Sequence, residues 1–143
     1  MRDALDQQIL ELLQQNGRMT VKEIAYTVSL TAPAVSERIK KLEKEGLIEG
    51  YTAIVNPEKV GRTIHALISV SVAPKDKNEF LTLMEEEEAV VQCHHVTGPY
   101  SYIVRVDARA MPELERLITR FQKMGETSTQ IILSSPIERK AVY

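Results

Sequence analysis

The segment from residue 30 to residue 44, LTAPAVSERIKKLEK, constrains the fold more than any other part of this chain. Val35, Ile39 and Leu42 recur at a spacing that places them on one face of an α-helix. The other positions after Pro33 are small, polar or charged. A helix of this kind buries its apolar stripe against neighbouring elements. The segment therefore predicts one helix of a small helical core.

The ends of this predicted helix carry capping residues. Thr31 can accept a hydrogen bond from one of the unpaired backbone N–H groups of the first turn. Pro33 lies in that turn, where a residue without an N–H is tolerated at little cost. Gly46 follows the last residue of the apolar period and suits the left-handed conformation that ends many helices. The helix is therefore expected to begin and end within residues 30–46.

The exposed side of the predicted helix combines small and basic residues. Ala34, Arg38 and Lys41 share one narrow arc, and Ser36, Lys40 and Lys44 lie elsewhere on the exposed surface. Small residues near the start and cations further along suit a helix in the major groove of DNA. The alternative is a solvated surface held by pairs such as Glu37–Lys41, which would be preferred for an isolated basic helix.

Two helical patterns precede this segment and favour the interpretation as a helix that enters the major groove. Residues 3–16 carry an apolar stripe and end at an Asn-Gly pair. Thr20 and Glu23 form a capping box that opens a second helix. Only residues 29–31 then separate the second helix from the basic one. Three helices with a tight second connection predict a helix-turn-helix.

The hydrophobic period changes after a boundary near residues 56–61. Before it, residues 47–55 predict an extended segment. After it, strict alternation over residues 63–73 predicts a half-buried strand. The remaining patterns predict a helix over 76–88, strands over 90–97 and 101–107, a helix over 111–124 and a strand over 127–135. This β-α-β-β-α-β order predicts a ferredoxin-like sandwich.

One face of the predicted sheet remains uncovered by helices. By alternation it carries the apolar residues Leu67, Val91, Ile103 and Ile132, and His65 is expected on the same face. A partly apolar open face favours a partner. Because identical copies supply matching surfaces, the sequence predicts a homodimer.

Composition limits the function further. The chain has 143 residues and a formal net charge of -2, so binding to DNA would depend on local basic patches. One cysteine, Cys93, excludes an intrachain disulfide and fits a reducing cytosol. The sequence shows no signal peptide and no apolar run of about 18 residues, which predicts neither export nor a membrane span. We expect a cytoplasmic protein.

Short motifs carry a family resemblance. They are Leu5-Asp6, Ile9-Leu10, Asn16-Gly17-Arg18, Leu30-Thr31, Pro33, Val35, Arg38-Ile39, Leu42-Glu43, Gly46-Leu47-Ile48, Gly50-Tyr51-Thr52-Ala53, Asn56-Pro57 and Gly61. Each motif alone is a weak indication of a family. The motifs over residues 30–61 form a stronger one, because they follow one another at the expected spacing. On these residues the chain resembles the Lrp/AsnC family, the leucine-responsive or feast/famine regulators of bacteria and archaea, over nearly its whole length.

The resemblance implies a transcriptional regulator with an α+β fold. Residues 1–60 would form a winged helix-turn-helix domain with a linker, and residues 61–143 a ferredoxin-like βαββαβ sandwich domain for effector binding and oligomerisation. Double-stranded DNA would be one partner, and dimers would assemble into tetramers or octamers. Ser36, Arg38 and Lys41 would be the leading DNA contacts. The full predicted DNA-binding set is Thr31, Ala32, Ala34, Ser36, Glu37, Arg38, Lys40 and Lys41.

A later turn resembles the effector loop of this family. The residues that the resemblance assigns to effector binding are Gly98, Pro99, Tyr100, Ser101 and Tyr102. Such proteins commonly bind an amino acid at the junction between dimers, and an acidic residue of the loop can hold its ammonium group. Here that position is Ser101, which removes a charge-assisted hydrogen bond. Three alternatives therefore stay open for the effector: an amino acid, a different or weakly bound small molecule, or none.

Other polar clusters predict no cofactor and no metal. His94 and His95 are neighbours on a strand, so their side chains point to opposite faces and cannot chelate one ion together. With Cys93 they match no zinc spacing. The acidic run over residues 85–88 is expected to be a solvated surface. The alternatives are that it repels DNA or meets a basic patch on a neighbouring copy.

Two other functions are alternatives to sequence-specific regulation. An architectural protein that wraps DNA with little sequence preference would act through phosphate contacts and bending. An enzyme could use the sheet face as a cleft around His94 or His95. No acid–base pair or nucleophile accompanies these histidines, so the sequence does not predict an enzyme.

Overall fold

The computed structural model describes residues 3–143, which group into two compact units. The first comprises the chain up to Ile54 together with Ile137–Tyr143, and the second comprises Val55–Pro136. Within the first unit, the backbone N of Val142 donates a hydrogen bond to Gln14 Oε1 at 2.9 Å. Each unit contains its own buried apolar cluster, which is what an independently folded domain requires.

The first unit is built from three helices. They are α1 (Ala4–Gln15), α2 (Val21–Val28) and α3 (Ala32–Lys44). The predicted capping box is confirmed, because the Glu23 backbone N donates to Thr20 Oγ1 and the Thr20 backbone N donates to the Glu23 carboxylate. Thr31 caps α3 by accepting a hydrogen bond from the Ala34 N–H at 3.3 Å. Each of the three predicted helices is therefore present, and these local hydrogen bonds set where α2 and α3 begin.

A buried apolar cluster joins the three helices. Its members are Ile9, Leu10, Ile24, Ala25, Val28, Val35 and Leu42. Ile39, the third residue of the predicted α3 stripe, is half-buried against them. Full burial of a Val, Leu or Ile side chain contributes about 1.5–3 kcal/mol. This cluster therefore provides the main attachment of α3 to α1 and α2.

The chain after α3 is irregular. Gly46 adopts the predicted left-handed conformation at φ 77°. Residues 49–56, most of the predicted extended segment, form neither helix nor strand, and Ile54 is 74% exposed. Tyr51 attaches this segment to α3, because its hydroxyl donates to Glu43 Oε1 at 3.0 Å. Partial burial of the phenol, together with that hydrogen bond, raises the pKa of Tyr51 to about 12.

The second unit has the predicted β-α-β-β-α-β order. Its elements are β1 (Ile64–Val70), α4 (Lys77–Glu86), β2 (Val90–His95), β3 (Tyr102–Ala108), α5 (Met111–Gln122) and β4 (Thr127–Ile131). Short 3-10 turns occur at Pro57–Val60 and Pro74–Asp76. The strands lie in the order β2-β3-β1-β4, and every neighbouring pair is antiparallel. This is the ferredoxin-like topology, so the predicted α+β fold is confirmed.

One face of the sheet packs against the two helices, as predicted. Ala66, Ile68 and Val70 of β1 are completely buried. The remaining core residues from α4, β3 and α5 include Phe80, Leu83, Met84, Tyr102, Val104, Val106, Leu114, Leu117 and Phe121. Because every second strand residue points to the same face, the alternation predicted the inner face correctly.

The acidic run over residues 85–88 differs from expectation. Glu87 is only 7% exposed, and Arg116 donates two hydrogen bonds of 3.1 Å to its two carboxylate oxygens. Arg120 donates a further hydrogen bond. The hydrogen bonds from Arg116 hold the pKa of Glu87 below its usual value. The prediction of a solvated surface is therefore wrong for Glu87, whose basic partners come from α5 of its own chain.

Candidate nucleic-acid interface

Helix α3 buries one side and exposes the other. Val35 and Leu42 are 0% and 1% exposed, whereas the predicted DNA-binding residues lie on or beside the free side. Among them Thr31, Ala32, Glu37, Lys40 and Lys41 are exposed, and Ala34, Ser36 and Arg38 are half-buried. The major groove of B-DNA, about 12 Å wide, admits one helix with such a free side. The geometry of α3 is thus compatible with the predicted role.

Arg38 has partners that its position in the sequence did not suggest. Its Nη1 donates to Asp3 Oδ2 at 2.7 Å and to Asp6 Oδ1 at 3.0 Å. The hydrogen bond from Arg38 lowers the pKa of Asp3, and the Asp3 carboxylate in turn raises the pKa of Arg38. Asp3 and Asp6 lie at the start of α1. Arg38 therefore ties α3 to the first turn of α1.

The lysines of α3 are less constrained. Lys40 Nζ lies 3.7 Å from Glu37 Oε1, so Glu37 pairs with Lys40 and not with Lys41, its partner in the solvated-surface alternative. Both side chains of this pair are largely exposed, and such pairs contribute little. The ammonium groups of Lys41 and Lys44 have no ion-pair or hydrogen-bond partner within residues 3–143. Their ammonium groups therefore remain available to an external anion.

The turn between α2 and α3 is tight and conformationally unusual. Ser29 adopts φ 57° and ψ 44°, and it is the one non-glycine residue with positive φ within residues 3–143. The Leu30 backbone N donates to Ala25 O at 3.0 Å and closes the turn. A side chain in the left-handed region is sterically unfavourable and persists where surrounding contacts over-determine it. The Ser29 conformation and the hydrogen bond from Leu30 to Ala25 therefore fix the direction of α3 relative to α2.

The predicted effector loop lies between β2 and β3. Gly98 has φ 110°, a conformation that favours glycine, and Gly98 and Pro99 are exposed. Tyr100 is half-buried. Ser101 Oγ accepts a hydrogen bond from the Val72 backbone N at 2.8 Å, and it lies 3.3 Å from Val70 O. The Ser101 hydroxyl therefore holds the loop against the end of β1.

Tyr102, the last predicted effector residue, lies in the core. It is 4% exposed, and its ring centroid is 4.9 Å from those of both Phe80 and His95. Its side chain faces α4 instead of solvent. Four of the five predicted effector residues, Gly98–Ser101, therefore remain at the surface of this unit or close to it.

The open face of the sheet is mixed in character. Leu67, Ile103 and Ile132 are half-buried, and Val91 is 48% exposed at an irregularity in β2. His65 lies opposite Asp107 in the β1–β3 register, and its Nδ1 is 2.7 Å from Asp107 Oδ1. Asp107 is 7% exposed. The sequence predicted the apolar part of this face but missed its polar centre, because Asp107 lies 42 residues from His65.

The histidines of β2 point to opposite faces, as predicted. His94 pairs with Ile103 on the open face, whereas His95 stacks on Tyr102. Burial raises the pKa of the half-buried Cys93 thiol. Residues 3–143 contain no group of three or more His, Cys, Asp or Glu that could hold a metal ion. Over the same residues, no helix combines the length and apolar character that crossing a bilayer requires.

Three helices joined by a tight turn, with one basic helix free on its outer side, define a helix-turn-helix DNA-binding protein. Comparison with known proteins identifies both halves. Residues 2–49 match the family model for winged helix-turn-helix DNA-binding, and residues 65–142 match the Lrp/AsnC ligand binding domain. The chain belongs to the Lrp/AsnC family.

Individual relatives agree with this assignment. The chain is 35% identical to the HTH-type transcriptional regulator YezC of Bacillus subtilis, covering 93% of this chain and 94% of that protein. It is 28% identical to the leucine-responsive regulatory protein of Escherichia coli K12, covering 92% and 84%. The transcriptional regulator NMB0573 of Neisseria meningitidis, solved with L-Met, has a TM-score of 0.91 at 26% identity, covering 100% and 97%.

The function follows from this membership. The protein is a DNA-binding transcriptional regulator of the Lrp/AsnC type, with a helix-turn-helix and a ligand-binding domain. The relatives are transcriptional regulators by name, which does not favour the architectural alternative. The same names point away from an enzyme.

Proposed function

We propose that residues 1–60 bind operator DNA through the free side of α3. The observation that carries this proposal is that Lys41 and Lys44 are unpaired within residues 3–143, while the opposite side of α3 is buried. The residues that would face the groove are Thr31, Ala32, Ala34, Ser36, Glu37, Lys40 and Lys41. Arg38 would act with them mainly by holding α3 in place, since its guanidinium is engaged by two carboxylates.

Replacing Lys41 with alanine tests this assignment. We expect about a tenfold loss of operator affinity, because a base-edge or phosphate contact of a lysine would be removed. Fluorescence anisotropy with a duplex selected from a random pool measures the affinity. Lys77→Ala is the matched control, since Lys77 is an exposed lysine at the start of α4. Equal affinity in Lys41→Ala and Lys77→Ala would rule out α3 as the reading helix.

We further propose that residues 61–143 pair two chains through the open face of the sheet. Leu67, Ile103, Ile132 and Val91 supply its apolar part, and a two-fold pair would bury them on both copies. A dimer would present two copies of α3 to a pseudo-palindromic operator, with half-sites about 34 Å apart. Dimers would then assemble into tetramers or octamers.

The loop Gly98–Ser101 is proposed to border a site for an amino acid or another small effector. The support is the match of residues 65–142 to a ligand-binding domain and the L-Met bound to NMB0573. Ser101 carries no charge, and its hydroxyl is already bonded to Val70 at the end of β1 and to Val72 just after it. A ligand ammonium would therefore lack a charged partner at this position, which predicts weak binding of a standard amino acid.

Light scattering with and without a panel of amino acids tests pairing and effector together. The chain has a mass of 16.2 kDa, so the proposal expects at least twice that mass in solution. An effector that binds between dimers is expected to change the measured mass. A constant mass of one chain would contradict both parts of the proposal.

We place this activity in the cytoplasm and assign no catalytic step to the chain. The support is that the DNA partner of a bacterial or archaeal regulator lies in that compartment, and that the relatives are named as regulators. Cell fractionation followed by immunodetection measures the location, and recovery in a membrane fraction would contradict it.

A further inference from the structure

Helix α2 carries an exposed pair of residues that the fold does not use. Tyr26 is 91% exposed, and Lys22, one turn earlier on the same side, is also exposed. Neither side chain has a hydrogen-bond or ion-pair partner within residues 3–143. The core of this unit receives Ile24, Ala25 and Val28 from the opposite side of α2. We call Lys22 and Tyr26 the α2 ridge.

The position of the α2 ridge connects it to the DNA-binding helix. Helix α2 is the first helix of the helix-turn-helix, and the turn at Ser29 and Leu30 joins it directly to α3. When the second helix of such a motif enters the major groove, the first crosses the phosphate backbone. In that docking geometry, the α2 ridge would therefore lie on the helix that runs across the phosphates.

The chemistry of the two residues fits a phosphodiester backbone. A lysine ammonium neutralises a phosphate, and a tyrosine hydroxyl donates a hydrogen bond to a phosphate oxygen. The nearest acidic residue on α2, Glu23, has its carboxylate engaged in the capping box with Thr20. Because the net charge of the chain is -2, affinity for DNA depends on local cations of this kind.

We propose that the α2 ridge grips the sugar–phosphate backbone beside the groove that α3 enters, and so sets affinity without sequence preference. This inference rests on the proposed role of α3 in DNA binding. Lys22 supplies charge and Tyr26 supplies a neutral hydrogen bond. The two contacts therefore have different salt signatures, because only the cation releases a counterion from the DNA.

The experiment measures affinity over a series of salt concentrations for Lys22→Ala and Tyr26→Phe. For Lys22→Ala the negative slope of log affinity against log salt is expected to become shallower by about 0.9. If the two proteins bind equally at 1 M salt, this change corresponds to about an eightfold weaker affinity of the variant at 0.1 M salt. For Tyr26→Phe we expect a loss of about two- to tenfold with an unchanged slope. In both variants, the operator and an unrelated duplex should weaken by the same factor.

The outcomes separate this inference from the proposed function. Lys77→Ala, in the second unit, serves as the charge-matched control and should bind like the wild-type protein. Circular dichroism and thermal unfolding confirm that the variants fold, since neither ridge side chain contributes to the core. If the wild type binds its operator and both ridge variants match it in affinity and slope, the ridge proposal is overturned. If the wild type binds no duplex, the proposed function fails and the ridge proposal falls with it.

Discussion

Replacing Gly125 with alanine is expected to destabilise the second unit by about 3 kcal/mol or more, because the new methyl group has no room. Gly125 lies between α5 and β4, and a Cβ placed there would be 1.7 Å from Ser71 O and 2.8 Å from the Ser71 carbonyl carbon. Ser71 follows β1 directly, and its backbone N donates to Glu126 O at 2.9 Å. The substitution therefore forces the α5–β4 connection away from the end of β1.

Urea unfolding followed by circular dichroism measures this effect as a shift in midpoint. Gly50→Ala is the matched control, because a Cβ at Gly50 would meet nothing within 4 Å and its backbone has no positive φ. That control is expected to stay within about 0.5 kcal/mol of the wild type. Equal midpoints for Gly125→Ala and Gly50→Ala would show that the close approach to Ser71 does not exist in solution.

Replacing Arg38 with alanine is expected to lower the stability of the first unit by about 2 kcal/mol. The substitution leaves the Asp6 carboxylate, whose side chain is 12% exposed, without its cationic partner. Breaking a fully buried ion pair costs about 3–5 kcal/mol. We expect a smaller loss here because the Arg38 side chain is 30% exposed. Operator affinity should also fall, because α3 loses its attachment to the start of α1.

A double-mutant cycle with Asp6→Asn distinguishes a positioning role from direct contact with DNA. If Arg38 acts through Asp6, the destabilisation by Arg38→Ala should be smaller in the Asp6→Asn background. Urea unfolding measures stability, and anisotropy measures operator affinity under conditions where each variant is folded. Unchanged stability combined with lost operator affinity would show instead that Arg38 contacts DNA directly.

The elements of both units could be predicted because their signals are local. Thr20 and Glu23 are three residues apart, so their reciprocal hydrogen bonds depend only on the helix that they begin. The alternation in β1 similarly identified Ala66, Ile68 and Val70 as the inner face before any partner strand was known. The order of helices and strands then favoured one topology, which the sheet order β2-β3-β1-β4 confirms.

The chemistry of individual side chains was much less predictable. Arg38 stands on a helix whose exposed face suggested a DNA contact, but its partners lie 32 and 35 residues away on α1. Glu87 belongs to an acidic run typical of a solvated surface, yet α5 brings Arg116 to it. For Ser101 the sequence indicates only the carboxylate that this position lacks, whereas its hydroxyl is bonded at the end of β1. Each of these roles depends on residues that are distant in sequence.

The sequence by itself determined the secondary structure, the caps, the inner face of the sheet and the family of this protein. These properties depend on repeat spacing and on residues within one or two turns of each other. Only the tertiary structure decided which charged groups are free and which are engaged, as Lys41 and Arg38 show on one helix. The physical reason is that an ion pair is set by distances of a few ångströms between elements, and no short-range pattern in the chain encodes those distances.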